Sequence, residues 1–434
     1  MARIQGFLSY TWKSKFVRNV AVVASGTAGA QAIVIAFAPI ITRLYGPEAF
    51  GILGTFMAIV AVVAPIAALS YPIAIVLPKE DSDAKGIARL SIYIALGVAA
   101  LTALLLLAAG DKIANLLQVQ QVSSYIWLLP LVILFAAWLQ INEQWVIRKK
   151  HFGVKARAAV LNAFVISAAK AGMGLIKPMA AYLIVLYALG QALHAFLLSL
   201  GAKRTEEQER LENKKDQQVS LRDLARRHYD FPLYRAPQVS INAFSQSLPV
   251  LMLAAFFGPA SAGFYVLCRK LLGMPSILIG KSVGDVFYPR IAEAAHRGEN
   301  LSTFIVKATL SLAAVGIVPF GLVIAYGPWL FGFVFGAEWV AAGEYARWLA
   351  LWLFFAFMNR SSVASIPVLK LQGFFLVYEI TSVVLRLFAL FVGFYLLKND
   401  ISAIMLFSLA GVALNLALIL IITYISHSFH HKKR

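Results

Sequence analysis

Apolar residues run in stretches of about 20, broken by short polar turns, along almost the whole chain. A helix that crosses a bilayer needs roughly 20 mostly apolar residues. The pattern predicts twelve such spans, at about 17–42, 50–77, 88–110, 122–146, 155–176, 179–201, 232–257, 262–288, 303–325, 341–366, 372–397 and 402–426. Residues from Pro328 to Val340 read as a short segment that does not span, either re-entrant or lying on the surface. The runs show no period of two, which excludes a transmembrane barrel. The first apolar stretch continues from Phe16 to Ile41 behind a polar, aromatic lead and does not read as a cleavable signal. The expected fold class is an all-α polytopic membrane protein.

The long hydrophilic stretch from Ala202 to His228 divides the pattern into two sets of six. The expected organisation is a six-helix lobe at 1–201, a cytoplasmic linker or surface helix at 202–231, and a second six-helix lobe at 232–434. The halves resemble one another. One turn reads Tyr45-Gly46-Pro47-Glu48-Ala49-Phe50-Gly51, and another, at an offset of 212, reads Phe257-Gly258-Pro259-Ala260-Ser261-Ala262-Gly263. Leu77-Pro78-Lys79 has a counterpart in Tyr288-Pro289-Arg290. Tyr125, Leu129, Leu131 and Phe135 recur as Tyr345, Leu349, Leu351 and Phe355 at an offset of 220. Gly-Pro turns are common singly, but three matches in the same order are better explained by duplication. Six spans per half give both halves the same orientation, the parallel-repeat plan of a two-lobed transporter with its site between the lobes.

Composition supports this picture. Of 434 residues, 60% are hydrophobic and 14% charged, against about 45–50% and 25% in soluble domains. With a mean hydropathy of +0.77, a soluble globule and a disordered scaffold are excluded, and the single cysteine, Cys268, excludes a disulfide scaffold. The net charge of +19 acts first as a topology signal. With both termini in the cytoplasm, the inside segments hold groups such as Lys79, Lys85 and Arg89, then Arg148, Lys149 and Lys150, then the basic cluster from Lys203 to Arg227 and the tail Lys432, Lys433 and Arg434. The outside loops hold Arg43, Lys112, Lys177 and Lys398.

No catalytic signature is present: the chain contains no Walker A, HExxH, CxxC or GxSxG motif. The tail group His427, His430 and His431 reads as a basic terminus rather than a metal site. Polar residues within the spans say more, because each buried charge costs roughly 2.5–3.5 kcal/mol even on lenient scales. Arg235, Gln238, Asn242 and Gln246 fall within about 80° on one helix face, fit to line a watery cavity or to bond a neighbouring helix. Arg269, Lys270, Lys281 and Asp285 share the eighth span, with Lys281 and Asp285 at pairing distance in sequence. Glu379 and Arg386 lie seven residues apart on one face of the eleventh span; Arg386 is the leading single candidate, and an ion pair is its alternative. Together the spans show Lys170, Arg235, Arg269, Lys270, Lys281, Arg347 and Arg386, set in this reading against Asp285 and Glu379. A cationic interior suits an anionic substrate, and arginine suits phosphate through its planar fork.

The stretches APIITRLYGPEAFGILGTF and YPIAIVLPKEDSDA resemble the first two spans of bacterial polysaccharide flippases. YDFPLYRAPQVSINAFSQSLPVLML and FFGPASAGFYVLCRKLLGMPSILIGKSVGDVFYPRI resemble the corresponding second-half segments. These flippases form the polysaccharide-export branch of the superfamily that includes the multidrug and toxic-compound extruders. The resemblance covers nearly the whole chain. It implies translocation of an undecaprenyl-diphosphate-linked oligosaccharide for surface polysaccharide such as O-antigen or capsule, across the bacterial inner membrane, without a cofactor or metal. Membrane lipid, polysaccharide polymerase and chain-length proteins are the implied partners, and nucleic acid is not. The family's cation-lined lumen maps onto Arg235, Arg269, Lys270 and Arg386. Three other readings compete: a cation-coupled drug extruder, which needs buried carboxylates that are few here; a membrane-embedded glycan polymerase or ligase, which needs a large outer loop; and a non-transporting assembly subunit.

Overall fold

The computed structural model describes residues 15–116, 120–209, 220–274, 287, 290–291, 293–295, 297 and 299–431, and every regular element among them is helical. The long helices are α1 (Lys15–Ala67), α2 (Asp81–Leu116), α3 (Leu129–Arg148), α4 (Phe152–Ile176), α5 (Ala180–Glu209), α6 (Ala236–Phe257), α7 (Pro259–Leu272), α8 (Leu301–Phe335), α9 (Val340–Met358), α10 (Gln372–Val392) and α11 (Asp400–His431). Nine helices among the described residues are long and apolar enough to cross a membrane. The first of these contains two expected spans, because Gly46 (φ 59°, ψ 169°) breaks α1 without ending it, and Pro47 is pre-set to restart a helix. The eighth expected span is described only as far as Met274.

The segment expected from Pro328 to Val340 is set off by a kink: helical backbone is interrupted at Tyr326 (φ −119°, ψ 16°) and resumes to Phe335 within α8, followed by the short turn Ala337–Trp339. The cause of the bend is Pro328, which has no N–H to offer the Ile324 carbonyl four residues back. The Ile324 carbonyl instead accepts from Arg347 Nε at 2.9 Å. The hydrophilic stretch after the sixth span, expected as a linker or surface helix, is helical in its described parts. Its first residues extend α5 to Glu209, and Leu221–Arg227 forms a further short helix.

The chain forms two compact units. The first comprises residues 1–45 and 52–251. In it α3 packs on α2 and α5, and α4 packs on α5. Leu224, on the short helix Leu221–Arg227, is fully buried with Ile75, Ala84, Ile87 and Ile141. Gly86 makes this possible, since a Cβ there would meet Leu224 Cδ1 at 2.4 Å. Arg227 pairs with Asp83 at 3.1 Å, and Tyr71 donates to the Ala225 carbonyl at 3.2 Å. Arg148, read above only as a topology charge, pairs with Asp81 and donates to the carbonyls of Ile75, Pro78 and Lys79. It thereby satisfies backbone left open after the short helix Tyr71–Ala74.

The second unit comprises residues 46–51 and 252–434. There α9 packs on α7, α8 and α11, and α10 packs on α11. The two repeated Gly-Pro turns meet within this unit. A Cβ on Gly51 would fall 1.6 Å from the Pro259 carbonyl oxygen, and one on Gly263 would fall 2.1 Å from the Pro47 carbonyl oxygen. The last glycine of each motif therefore faces the backbone of the other motif. Asp400 ties three helices together: it accepts from Ser261 on α7 at 2.6 Å and from the buried Tyr345 on α9 at 2.7 Å, and its Oδ1 accepts from the Ile401 N–H at the start of α11.

The repeat is also visible in local backbone. Gly46 and Gly258 both adopt φ near +60° to +90° with extended ψ, at 59°, 169° and 90°, 176°. Lys150 (φ 56°) and Lys370 (φ 57°) both occupy the left-handed region. His151 N–H bonds the Val146 carbonyl and Lys150 N–H bonds that of Ile147; Leu371 and Lys370 repeat the arrangement onto Ile366 and Pro367. This is the same helix-ending motif twice, at the offset of 220 seen in the aromatic and leucine matches.

Candidate functional site

The polar stripe of the first unit begins in a turn of wider helix, Phe231–Arg235, and continues along α6. Arg235 Nη1 donates to Gln238 Oε1 at 3.0 Å, and Gln246 Nε2 donates to Asn242 Oδ1 at 2.8 Å. All four side chains are exposed, and both bonds stay within the one helix. The stripe is a partly self-satisfied polar face with donors and acceptors to spare.

In the second unit, α7, α9, α10 and α11 bring Arg269, Trp352, Arg386 and Phe407 together. The guanidinium carbon of Arg269 lies 5.1 Å from the centroid of the Trp352 ring, and that of Arg386 lies 4.9 Å from it. Arg386 also stands 5.8 Å from the Phe407 ring. Contacts of this type are worth about 0.5–2 kcal/mol each, more when desolvated. Arg386 Nε donates to the Ser382 carbonyl one turn back at 3.0 Å. Phe407 meets Trp352 edge-on at 5.2 Å. Gly411 makes room for the indole, since a Cβ there would fall 2.4 Å from Trp352 Cδ1. Among the described residues neither arginine is ion-paired. Glu379, seven residues from Arg386 and exposed, acts on it through space without reaching ion-pair distance. Two cations on one aromatic ring, without a carboxylate between them, form an anion-receptive group.

The remaining candidates divide. Lys270 is exposed beside Arg269 and has no hydrogen bond or ion pair among the described residues. Lys281 and Asp285 lie outside the described residues. Arg347 is not a free cation: besides the Ile324 carbonyl, its Nη1 meets both carboxylate oxygens of Glu344 at 3.3 Å. Glu143 likewise holds Lys155 at 3.6 Å. Both glutamates were left out of the comparison of cations with carboxylates, so the cation excess is smaller than the sequence suggested. The sequence reading missed Trp352, Phe407 and Asp400. Trp352 stands two residues before the phenylalanine-rich stretch that opens at Phe354, and the sequence reading gave it no role. Among the described residues no group of three or more His, Cys, Asp or Glu side chains could hold a metal ion.

Outside the apolar spans, His228 follows the short docked helix. Its Nε2 is buried with no partner. Burial holds the imidazole below its ordinary value of 6.5, against the pull of Asp230 and Asp83 and with the push of Arg227.

A family model described as "polysaccharide biosynthesis protein" matches residues 40–344. No curated protein matches the chain in sequence. Among solved structures, the chain is similar to an inward-facing multidrug resistance MATE family transporter of the MOP superfamily, with a TM-score of 0.69 and 12% identity over 96% of this chain and 99% of that one. It is similar to the lipid II flippase MurJ in an inward closed conformation, with a TM-score of 0.64 and 14% identity over 93% and 87%. A MOP superfamily transporter from Pyrococcus furiosus gives a TM-score of 0.55 and 12% identity over 95% and 96%. At these identities the likeness concerns the fold alone, that of an all-α polytopic membrane protein.

Proposed function

The chain belongs to the polysaccharide biosynthesis protein family, and from that premise we propose that it is a flippase for an oligosaccharide linked to undecaprenyl diphosphate. The head group would pass from the cytoplasmic to the outer leaflet by alternating access, with both termini cytoplasmic as the loop charges suggest. The observation that carries the reading is the Arg269 and Arg386 pair on Trp352, in which neither cation is ion-paired to a carboxylate among the described residues. A diphosphate supplies the missing anion, and guanidinium groups bind phosphate oxygens through paired donors. The amides of Gln238, Asn242 and Gln246 suit sugar hydroxyls, while Arg235, Lys270 and Lys281 add separated positive charge along the chain. A few separated cations offset dehydration of the diphosphate without trapping it. An inside-negative potential favours outward movement by roughly 2.3 kcal/mol per charge per 100 mV if the charge crosses the full field. One relative in fold is itself named a lipid II flippase, which is in keeping with a lipid-linked cargo.

The test is reconstitution in vesicles with a fluorescent undecaprenyl-diphosphate oligosaccharide, beside a cationic dye as rival cargo. Arg386→Ala should cut transport by about 10- to 100-fold, the equivalent of losing charge-assisted hydrogen bonds worth about 1.5–3 kcal/mol. Arg386→Lys should restore part of it. Export of the dye but not of the glycolipid would replace this reading with that of a drug extruder. Transport loss that merely follows protein level across the Arg386 and Glu379 single and double variants would make Arg386 a structural residue.

A further inference from the structure

Two guanidinium groups that share one ring repel each other, and the structure sets that repulsion against a fixed object. Arg269 and Arg386 lie near enough for each charge to act on the other. Their guanidinium carbons can be no farther apart than their two distances to the Trp352 centroid laid end to end. The ring itself has little freedom: Trp352 is 7% exposed, Phe407 closes on it edge-on, and the indole lies so close to Gly411 that a Cβ there would clash with it. Arg386 is further held by Ser382 through Nε, and its two terminal nitrogens have no partner among the described residues. Arg269 has no side-chain hydrogen bond or ion pair there either. The cations are thus positioned by an aromatic platform and not by carboxylates, which would compete with an anionic ligand.

We infer that Trp352 is a positioning residue that sets the spacing of Arg269 and Arg386 so that the two together grip one diphosphate. The inference rests on the proposed reading of this site and adds the source of its selectivity. A monophosphate engages one arginine well and the other poorly, whereas a diphosphate engages both. Without the platform the two cations are free to separate, and the second engagement is lost while the first remains. Trp352 therefore governs the preference for diphosphate over monophosphate, and governs single-phosphate affinity much less.

The experiment uses the full chain in lipid nanodiscs and measures equilibrium binding of undecaprenyl diphosphate and of undecaprenyl monophosphate. The wild type should favour the diphosphate by about 10-fold or more. In Trp352→Leu the diphosphate affinity should fall by about 10-fold, with the monophosphate nearly unchanged, so the ratio collapses. Trp352→Phe keeps an aromatic face and should retain most of the ratio. If Trp352→Leu fails to accumulate, Gly411→Ala displaces the ring without touching either arginine and should lower the ratio in the same way. A merely structural tryptophan would lower both affinities and thermal stability together and leave the ratio intact, which overturns the inference. If Arg269→Ala and Arg386→Ala bind the diphosphate as the wild type does, the diphosphate reading of the site fails. If those variants lose binding while the Trp352 and Gly411 variants keep the wild-type ratio, the positioning role alone fails.

Discussion

The crossing of Gly51 and Gly263 makes a sharp quantitative prediction, because the obstacle at each position is backbone. Alanine at position 51 would put its Cβ 1.6 Å from the Pro259 carbonyl oxygen, and alanine at 263 would put its Cβ 2.1 Å from the Pro47 carbonyl oxygen. Both distances lie well inside the 3.0 Å that Cβ atoms keep from other heavy atoms. No rotamer change relieves either clash, so the helices must separate. Overpacking of this kind costs about 1–3 kcal/mol, and the backbone obstacle argues for the upper end. Gly→Ala in an unobstructed helix does the reverse, gaining up to about 1 kcal/mol. Gly97 on α2 and Gly321 on α8 serve as controls, since a Cβ at either meets nothing within 4 Å. In detergent, Gly51→Ala and Gly263→Ala should each lower Tm by roughly 4–10 °C, on the scaling for domains of 150–250 residues, while Gly97→Ala and Gly321→Ala leave it level or higher. One separation of the helices relieves both clashes, so the double variant should cost less than the two single costs added. If Gly51→Ala is as stable as Gly97→Ala, or if the two costs add in full, the motifs do not pack as described.

Two further outcomes follow from polar groups outside the candidate site. Asp400→Ala orphans the buried Tyr345 hydroxyl and the Ser261 hydroxyl, and should destabilise the protein by about 2–4 kcal/mol; Asp400→Asn should recover part of the loss, and thermal unfolding of the pair against wild type checks both. The short helix Leu221–Arg227 should undock on acidification, because burial favours neutral His228. The docked state then binds fewer protons than the undocked one, so the contribution is present above pH 6.5 and fades as the pH falls below it. Amide exchange over 221–227, corrected for intrinsic rate, should be faster at pH 5.5 than at 7.5 in wild type, and His228→Gln should remove the difference.

What could be foreseen depended on how local the determining interaction was. The Gly-Pro turns were legible because a proline that restarts a helix and a glycine that tolerates positive φ act on their own backbone. The matching ends at Lys150 and Lys370 were not foreseen, since a lysine in a left-handed position carries no glycine signal. Pro328 advertised a break, and helical backbone is interrupted beside it at Tyr326; the partner was not legible, since Arg347, across the α8–α9 hairpin, takes the carbonyl that the proline leaves open. That same interaction removed Arg347 from the free cations, a consequence no count of charges along the chain can contain.

Arg386 illustrates the remaining gap. Helical spacing placed Glu379 on its face and made a carboxylate the natural alternative partner. In three dimensions the guanidinium turns instead to an indole from α9 and a phenyl ring from α11, with its Nε tied to its own helix. Sequence reasoning weighed cations by the acids near them and gave Trp352 no role, and so did not anticipate an aromatic group that substitutes for an acid. The difference matters chemically: a carboxylate partner would quench the site, whereas a π face holds the arginine in place and leaves its charge available. Cations within the apolar helices of such a chain are therefore better ranked by what orients them than by their depth or their excess. On that ranking Arg386 and Arg269 stand apart from Arg347, whose partner is Glu344, and from Lys270, which nothing among the described residues orients.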